Sequence, residues 1–271
     1  DRPYFFQLGS YIYNLVTKFD FVKYYVSSFS VSQEITNRLP VTVGIGLLGV
    51  ILTVIIGIPF GMVSALKQYS VYDYSVTVLS VLFAAIPNFV AALIMILIFS
   101  VNLRWLPVTG LGDWKAWILP VIANSIAGVA VVTRMSRTSI LEVARQDYIR
   151  TARAKGLEEP RIIRKHILMN ALVPIITVVG GQMCIIVSGS IIIESLFAIP
   201  GLGTYMYSGI SNRDYPVVNG CVLVIAFVVC IMNLLTDTAY AFIDPRIKSQ
   251  YASKKKRKVV AAINEEGETS C

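Results

Sequence analysis

Five long apolar runs dominate this chain, and their length limits what it can fold into. They cover about Val41–Leu66, Val76–Val101, Ala116–Thr133, Leu172–Phe197 and Val217–Phe242. A helix needs about 20 mainly apolar residues to cross the hydrocarbon core of a bilayer. Inside that core every backbone polar group must be bonded within the protein, which favours helices. Hydrophobic residues make up 55% of the chain and charged residues 15%, too little charge for a soluble core of this size. The expectation is an all-α polytopic membrane protein with five transmembrane helices in this sequence.

The net charge of +8 would suit a nucleic-acid partner if it were spread over one surface, but its distribution argues otherwise. Seventeen Lys and Arg fall in three segments: Lys67, Arg134 to Lys165, and Arg246 to Lys258. The two short loops between the other span ends carry three, Arg104, Lys115 and Arg213, and the first forty residues carry four. An excess of Lys and Arg marks the cytoplasmic side of a membrane protein. The run Lys254 to Lys258 mimics a nuclear signal, but directly after a membrane span anionic lipid headgroups are its natural partner. No nucleic-acid partner is expected.

Between the third and fourth runs lies a basic, helix-breaking insert from Glu142 to Pro174. Asp147 to Lys155 reads as a short helix with Tyr148, Ile149 and Ala152 on one face. Gly156 stops it, because glycine takes the left-handed conformation past a helix end without a Cβ clash. Glu158 and Glu159 suit the positive end of a second helix, and Pro160 suits its first turn. That helix carries Ile162, Ile163 and Ile167 on one side and Arg161, Arg164 and Lys165 on the other. Helix, glycine elbow, helix and then membrane describe a docking element.

The stretch Asp147-Tyr148-Ile149-Arg150-Thr151-Ala152-Arg153-Ala154-Lys155-Gly156 resembles the EAA loop of ABC importer permeases, through which a permease engages its ATPase. His166 with Asn170-Ala171-Leu172-Val173-Pro174 is similar to the dipeptide/oligopeptide branch of that family. So are Ile193-Glu194-Ser195-Leu196-Phe197-Ala198-Ile199-Pro200-Gly201-Leu202-Gly203, and Asn233-Leu234-Leu235-Thr236-Asp237 leading to Asp244-Pro245-Arg246. These blocks stand in the family's order over roughly the second half of the chain. Two departures stand out: the Glu-Ala-Ala that names the loop is Arg150-Thr151-Ala152 here, and the trailing pattern reads His166-Ile167-Leu168-Met169.

The resemblance implies a type I ABC importer permease fold of the B type. It implies pairing with a homologous second permease, two cytoplasmic ABC ATPase subunits and an extracytoplasmic peptide-binding protein. ATP and magnesium would sit on the ATPase chains, leaving this one without a cofactor or a catalytic residue. ATPase closure would move the Asp147–Lys165 helices as a unit and alternate access to a central cavity, importing peptides across the bacterial cytoplasmic membrane. Asp147, Tyr148, Ala152, Arg153, Gly156, Leu157 and Arg161 are the expected coupling residues. Asp1-Arg2-Pro3 resembles the family segment that follows a first span, which implies one more helix upstream; a mature five-span chain is the other reading.

The expected organisation is an external aromatic-rich segment (1–40), a permease domain (41–243) holding the coupling loop (142–171), and a basic cytoplasmic tail (244–271). Residues 4–30 hold ten aromatics but are interrupted by Lys18, Asp20 and Lys23, so one or two interfacial helices are expected there. Glycines Gly44, Gly46, Gly49, Gly57 and Gly61 permit close helix contact in the first span, and Gly180, Gly181, Ser188 and Ser190 do so in the fourth. Pro87 should kink the second span, with Asn88 beside it either lining a pathway or merely packing.

Glu194 and Asp237 lie in or near apolar spans, where an ionised carboxylate costs about 2.5 kcal/mol or more at the centre. Each either lines or gates a path, or bonds structurally at a helix end. Cys184, Cys221 and Cys230 read as small packing residues. The single histidine, His166, pairs with no serine at membrane depth, and no P-loop occurs, so the chain is expected not to be an enzyme. Two other readings stay open: the same permease type carrying nickel or another small solute, and a secondary transporter needing no ATPase.

Overall fold

The computed structural model describes residues 3–18, 30–110 and 112–243. The basic tail with Asp244 to Arg246 and Lys254 to Lys258, and the aromatic segment around Val22, Tyr24 and Tyr25, lie outside the described residues. Helix α1 (Tyr4–Lys18) comes first, and its described side chains are all exposed. Helix α2 (Val31–Leu66) is the longest.

Helix α2 begins at Val31, ten residues before the expected start of the span at Val41, and runs straight through Pro40. Tertiary packing overrides the proline. Val31 and Ile35 are fully buried against Leu202, Tyr205 and Val217, and Arg38 pairs with Glu34 at 2.9 Å while lying over the Tyr205 ring.

The second apolar run is broken as well as kinked. Helix α3 (Val71–Ala85) and helix α4 (Asn88–Met95, continued by a π-helical turn Ile96–Asn102) meet at 101°. Pro87 caps α4 in an extended conformation, so neither helix continues through it. The two halves together cross the bundle. Asp73, at the start of α3, bonds to Ser64 and Arg137 at one end. Ala92, Phe99 and Leu106 pack with Val41, Leu119 and Phe197 at the other.

Helices α5 (Lys115–Ala144), α8 (Met169–Leu196) and α10 (Tyr215–Ile243) supply three more spans. Helix α5 is the centre of the bundle, packed along α2, α3, α4 and α8. The α2–α5 approach is close because Gly61 has no side chain: a Cβ there would run into the Ser136 side chain and the Thr133 carbonyl. Gly180 likewise lets α8 lie against Thr236 of α10, whereas Gly181 faces open space.

Two short helices, α6 (Asp147–Ala154) and α7 (Glu159–Arg161, running into a π-helical turn Ile162–Leu168), form the insert between α5 and α8. Helix α9 (Leu202–Ser211) joins α8 to α10 at the other end.

Candidate functional site

The elbow between α6 and α7 is built from local rules. Gly156 takes φ +77°, its amide donates to the Arg153 carbonyl at 2.9 Å, and the Leu157 amide donates to the Ala152 carbonyl at 3.3 Å. This pair of bonds closes the C-terminus of α6 and turns the chain, and Leu157 packs into the same apolar cluster as Ala152. Glu158 then caps α7, Pro160 fills its first turn, and Arg153 reaches across the elbow to Glu159 at 2.7 Å.

The elbow rests on an apolar seat. Ile149, Ala152, Ile162 and Ile167 are buried with Ala65 of α2, Val132 and Ile140 of α5, and Ala171 and Ile175 of α8. Helix α7 continues without interruption through the π-helical turn into α8, so the docking element and a membrane span are one helical run.

The expected common face of Tyr148, Ile149 and Ala152 on α6 splits. Ile149 is fully buried while its neighbour Tyr148 is 45% exposed. Consecutive residues on a helix point about 100° apart, so only one of the two can face the seat. Ala152 also points inward and supports the elbow from beneath. The outer face is left to Asp147, Tyr148, Arg153 and Arg161, all exposed. Arg161, Arg164 and Lys165 also line a shallow polar depression with Glu158 and Pro160. A seated apolar side and a charged free side suit a rigid contact with another protein.

The three expected pathway residues are not brought together. Asn88 is half-buried at the first turn of α4, in the break after Pro87. Asp237 is exposed on α10, near the helix end. Glu194 is fully buried. Its carboxylate accepts bonds from Ser190 Oγ (3.0 Å), the Gly203 amide (2.7 Å) and the Thr204 amide (3.3 Å). That geometry is a helix cap, the carboxylate closing the N-terminus of α9 where negative charge is favoured.

Sequence reasoning missed the other acidic node. Asp73 is held by Arg137 in a two-pronged pair, 2.6 Å from Nε and 2.8 Å from Nη2. It also accepts from Ser64 Oγ (2.5 Å) and the Tyr69 amide (3.0 Å). A local signal existed, because Ser70 three residues before Asp73 is a capping pattern, and the Asp73 amide does donate to Ser70 Oγ. The partner 64 residues away carried none.

Comparison with known proteins matches residues 57–249 to the family described as binding-protein-dependent transport system inner membrane component. A dipeptide transport system permease, DppB of Bacillus subtilis strain 168, is 40% identical over 251 residues, spanning 92% of this chain and 80% of the relative. An oligopeptide transport system permease, AppB of the same organism, is 42% identical over 228 residues, spanning 80% and 72%. Among solved structures, the inward-facing MetNI methionine ABC transporter superposes with a TM-score of 0.66 at 18% identity, over 78% of this chain and 96% of that one. An amino acid ABC transporter solved with histidines gives 0.55 at 19% identity, over 79% and 94%. At that identity the structural likeness shows the fold.

Proposed function

The chain belongs to the family of binding-protein-dependent transport system inner membrane components, and from that premise we propose that it is the transmembrane permease subunit of an ATP-driven peptide importer. The observation that carries this reading is the elbow. Its apolar side is seated on α2, α5 and α8, its charged side is free, and α7 runs directly into α8. A push on the elbow therefore reaches a membrane span without passing through a flexible joint. The peptide cargo rests on the likeness to permeases of dipeptide and oligopeptide systems.

The partners this reading requires are a homologous second permease, two ABC ATPase subunits docked on the elbow and an extracytoplasmic peptide-binding protein. ATP and magnesium belong to the ATPase subunits. The excess of Lys and Arg on the elbow side supports placing that side in the cytoplasm. Asp147, Tyr148, Arg153 and Arg161 would touch the ATPase, while Ala152, Gly156 and Leu157 would hold the elbow's shape. Tilting of α8 with the elbow would open the path first on one side and then on the other; binding energy from ATP closure drives the change of state, and no covalent chemistry occurs on this chain.

The test is co-expression with the ATPase, second-permease and binding-protein genes of the same system, followed by purification on a tag on this chain and uptake in proteoliposomes. The reading expects the ATPases to co-purify and labelled di- or oligopeptide to enter only with ATP. Peptide uptake without ATPase chains would point to a secondary transporter. ATP-dependent uptake of nickel in place of peptide would keep the permease and change its cargo.

A further inference from the structure

Helix α9 packs on the bundle through Leu202 and Tyr205, and its N-terminus is also hydrogen-bonded to α8 through one buried carboxylate and to α2 through Thr42. Beyond the Ser190, Gly203 and Thr204 bonds, the Thr42 hydroxyl of α2 accepts from the Leu202 amide at 2.8 Å, next to the Gly203 amide that bonds to Glu194. The chain around the joint is fitted to it. A Cβ at Gly201 or Gly203 would collide with the Glu194 carboxylate, so the backbone of α9 has closed onto it. The Glu194 carbonyl accepts from the Ile199 amide at 2.8 Å, and Thr204 Oγ1 donates to the Ile199 carbonyl at 2.7 Å. Leu202 and Tyr205 are buried beneath the joint, whereas Tyr207 and Ile210 of α9 are more than half exposed.

The other end of the same helical run is the docking elbow. From Glu159 to Leu196 the chain is helical throughout, a rod of about 55 Å at 1.5 Å per residue. The elbow is fixed to its near end by the Leu157 and Arg153 contacts, and α9 is fixed to its far end by Glu194. The Gly203 and Thr204 amides of α9 both bond to the Glu194 side chain of α8, so the two helices are tied at this point and should move as one body.

We propose that Glu194 is a positioning residue for transport, whose buried carboxylate locks α9 to α8 and α2 so that displacement of the elbow is delivered to α9 at the opposite mouth of the bundle. The proposal rests on the importer reading above, because it needs an elbow that moves. It gives the acid a mechanical role, distinct from contact with substrate.

The experiment uses the complete complex of this chain with its second permease, ATPases and binding protein in nanodiscs. Encoded spin labels are placed at Tyr207 and Trp105 to report α9, and at the exposed Thr151 of α6 and Tyr69 to report the elbow. Distances are measured without nucleotide and with vanadate-trapped ATP. In the otherwise native complex both pairs should shift on trapping. With Glu194→Ala the elbow pair should shift as before, while the α9 pair should broaden and lose its nucleotide-dependent shift, and uptake should fall at least about tenfold, since all the bonds to the carboxylate are lost together. Thr42→Val removes the bond between α2 and the Leu202 amide, Ser190→Ala removes one bond to the carboxylate, and each should broaden the α9 pair partially, which covers the case that Glu194→Ala does not assemble. An α9 shift that survives Glu194→Ala, or is unchanged in both milder variants, overturns the proposal. An elbow pair that stays still in the native complex overturns the importer reading instead, and this proposal with it.

Discussion

Asp73 and Arg137, 64 residues apart in sequence, form a two-pronged ion pair that fastens the start of α3 to the centre of the bundle. The Asp73 carboxylate is 3% exposed and the Arg137 side chain 27%. Ser64 of α2 bonds to the same carboxylate, one residue from Ala65 in the seat of the elbow. The pair therefore fixes the second span beside the docking element.

Breaking the pair from one side should cost more than its share. Asp73→Ala leaves a partly buried guanidinium without its acid, and Arg137→Ala leaves a buried carboxylate. Each should destabilise the chain by about 2–4 kcal/mol, the arginine's partial exposure keeping the value below that of a fully enclosed pair. The double variant should be milder than the sum by about 1–3 kcal/mol. Thermal unfolding of the four proteins in one detergent checks this; strictly additive losses would mean that the two residues act independently.

How much of this was readable beforehand depends on distance along the chain. The elbow was legible because Gly156, Glu158 and Pro160 act on their immediate neighbours, and the spans because apolar length is a local property. Two positions followed the same local logic and were overruled. The expected start of the first span lies just after Pro40, but Val31 and Ile35 bury themselves against α9 and α10 and carry the helix past it. The spacing groups Tyr148 with Ile149 and Ala152 on one face, but Ile149 fills the seat and Tyr148 is turned outward. Helix α9 and the Asp73–Arg137 pair were missed because what holds them, Glu194 and Thr42 for one and Arg137 for the other, lies on other helices.

Ala198 offers a test of backbone strain. It adopts φ +48° just past the end of α8, where the Ile199 amide returns to the Glu194 carbonyl. A left-handed alanine is strained by about 1–2 kcal/mol, and glycine relieves this while losing part of the gain to the freer unfolded chain. Ala198→Gly should therefore stabilise the protein by about 0.5–1 kcal/mol. A lower melting temperature for the variant would show that the methyl group contributes more by packing than its conformation costs.

The proposed cytoplasmic placement of the elbow rests on the charge distribution. A single cysteine at Glu159, on the elbow, should be protected from impermeant thiol reagents in intact cells and react only after permeabilisation. One at Asp113, in the loop before α5, should react in intact cells. The reverse pattern would turn the protein over and remove the elbow from the cytoplasm.

Gly156→Val tests the central claim. Nothing lies within 4 Å of a Cβ at this position, so the variant meets no clash with its neighbours; its penalty is conformational, set by φ +77° and of order 1–2 kcal/mol or more for a β-branched residue. Membrane insertion and pairing with a second permease should survive, because the spans are packed elsewhere. The decisive quantity is the number of peptides taken up per ATP hydrolysed, measured in proteoliposomes holding the complete complex. In Gly156→Val this ratio should collapse, either through loss of ATPase subunits or through hydrolysis without uptake, while Gly156→Asn, which tolerates the left-handed conformation, should stay close to the native value. A Gly156→Val complex that keeps its ATPases and the native ratio would contradict the central claim.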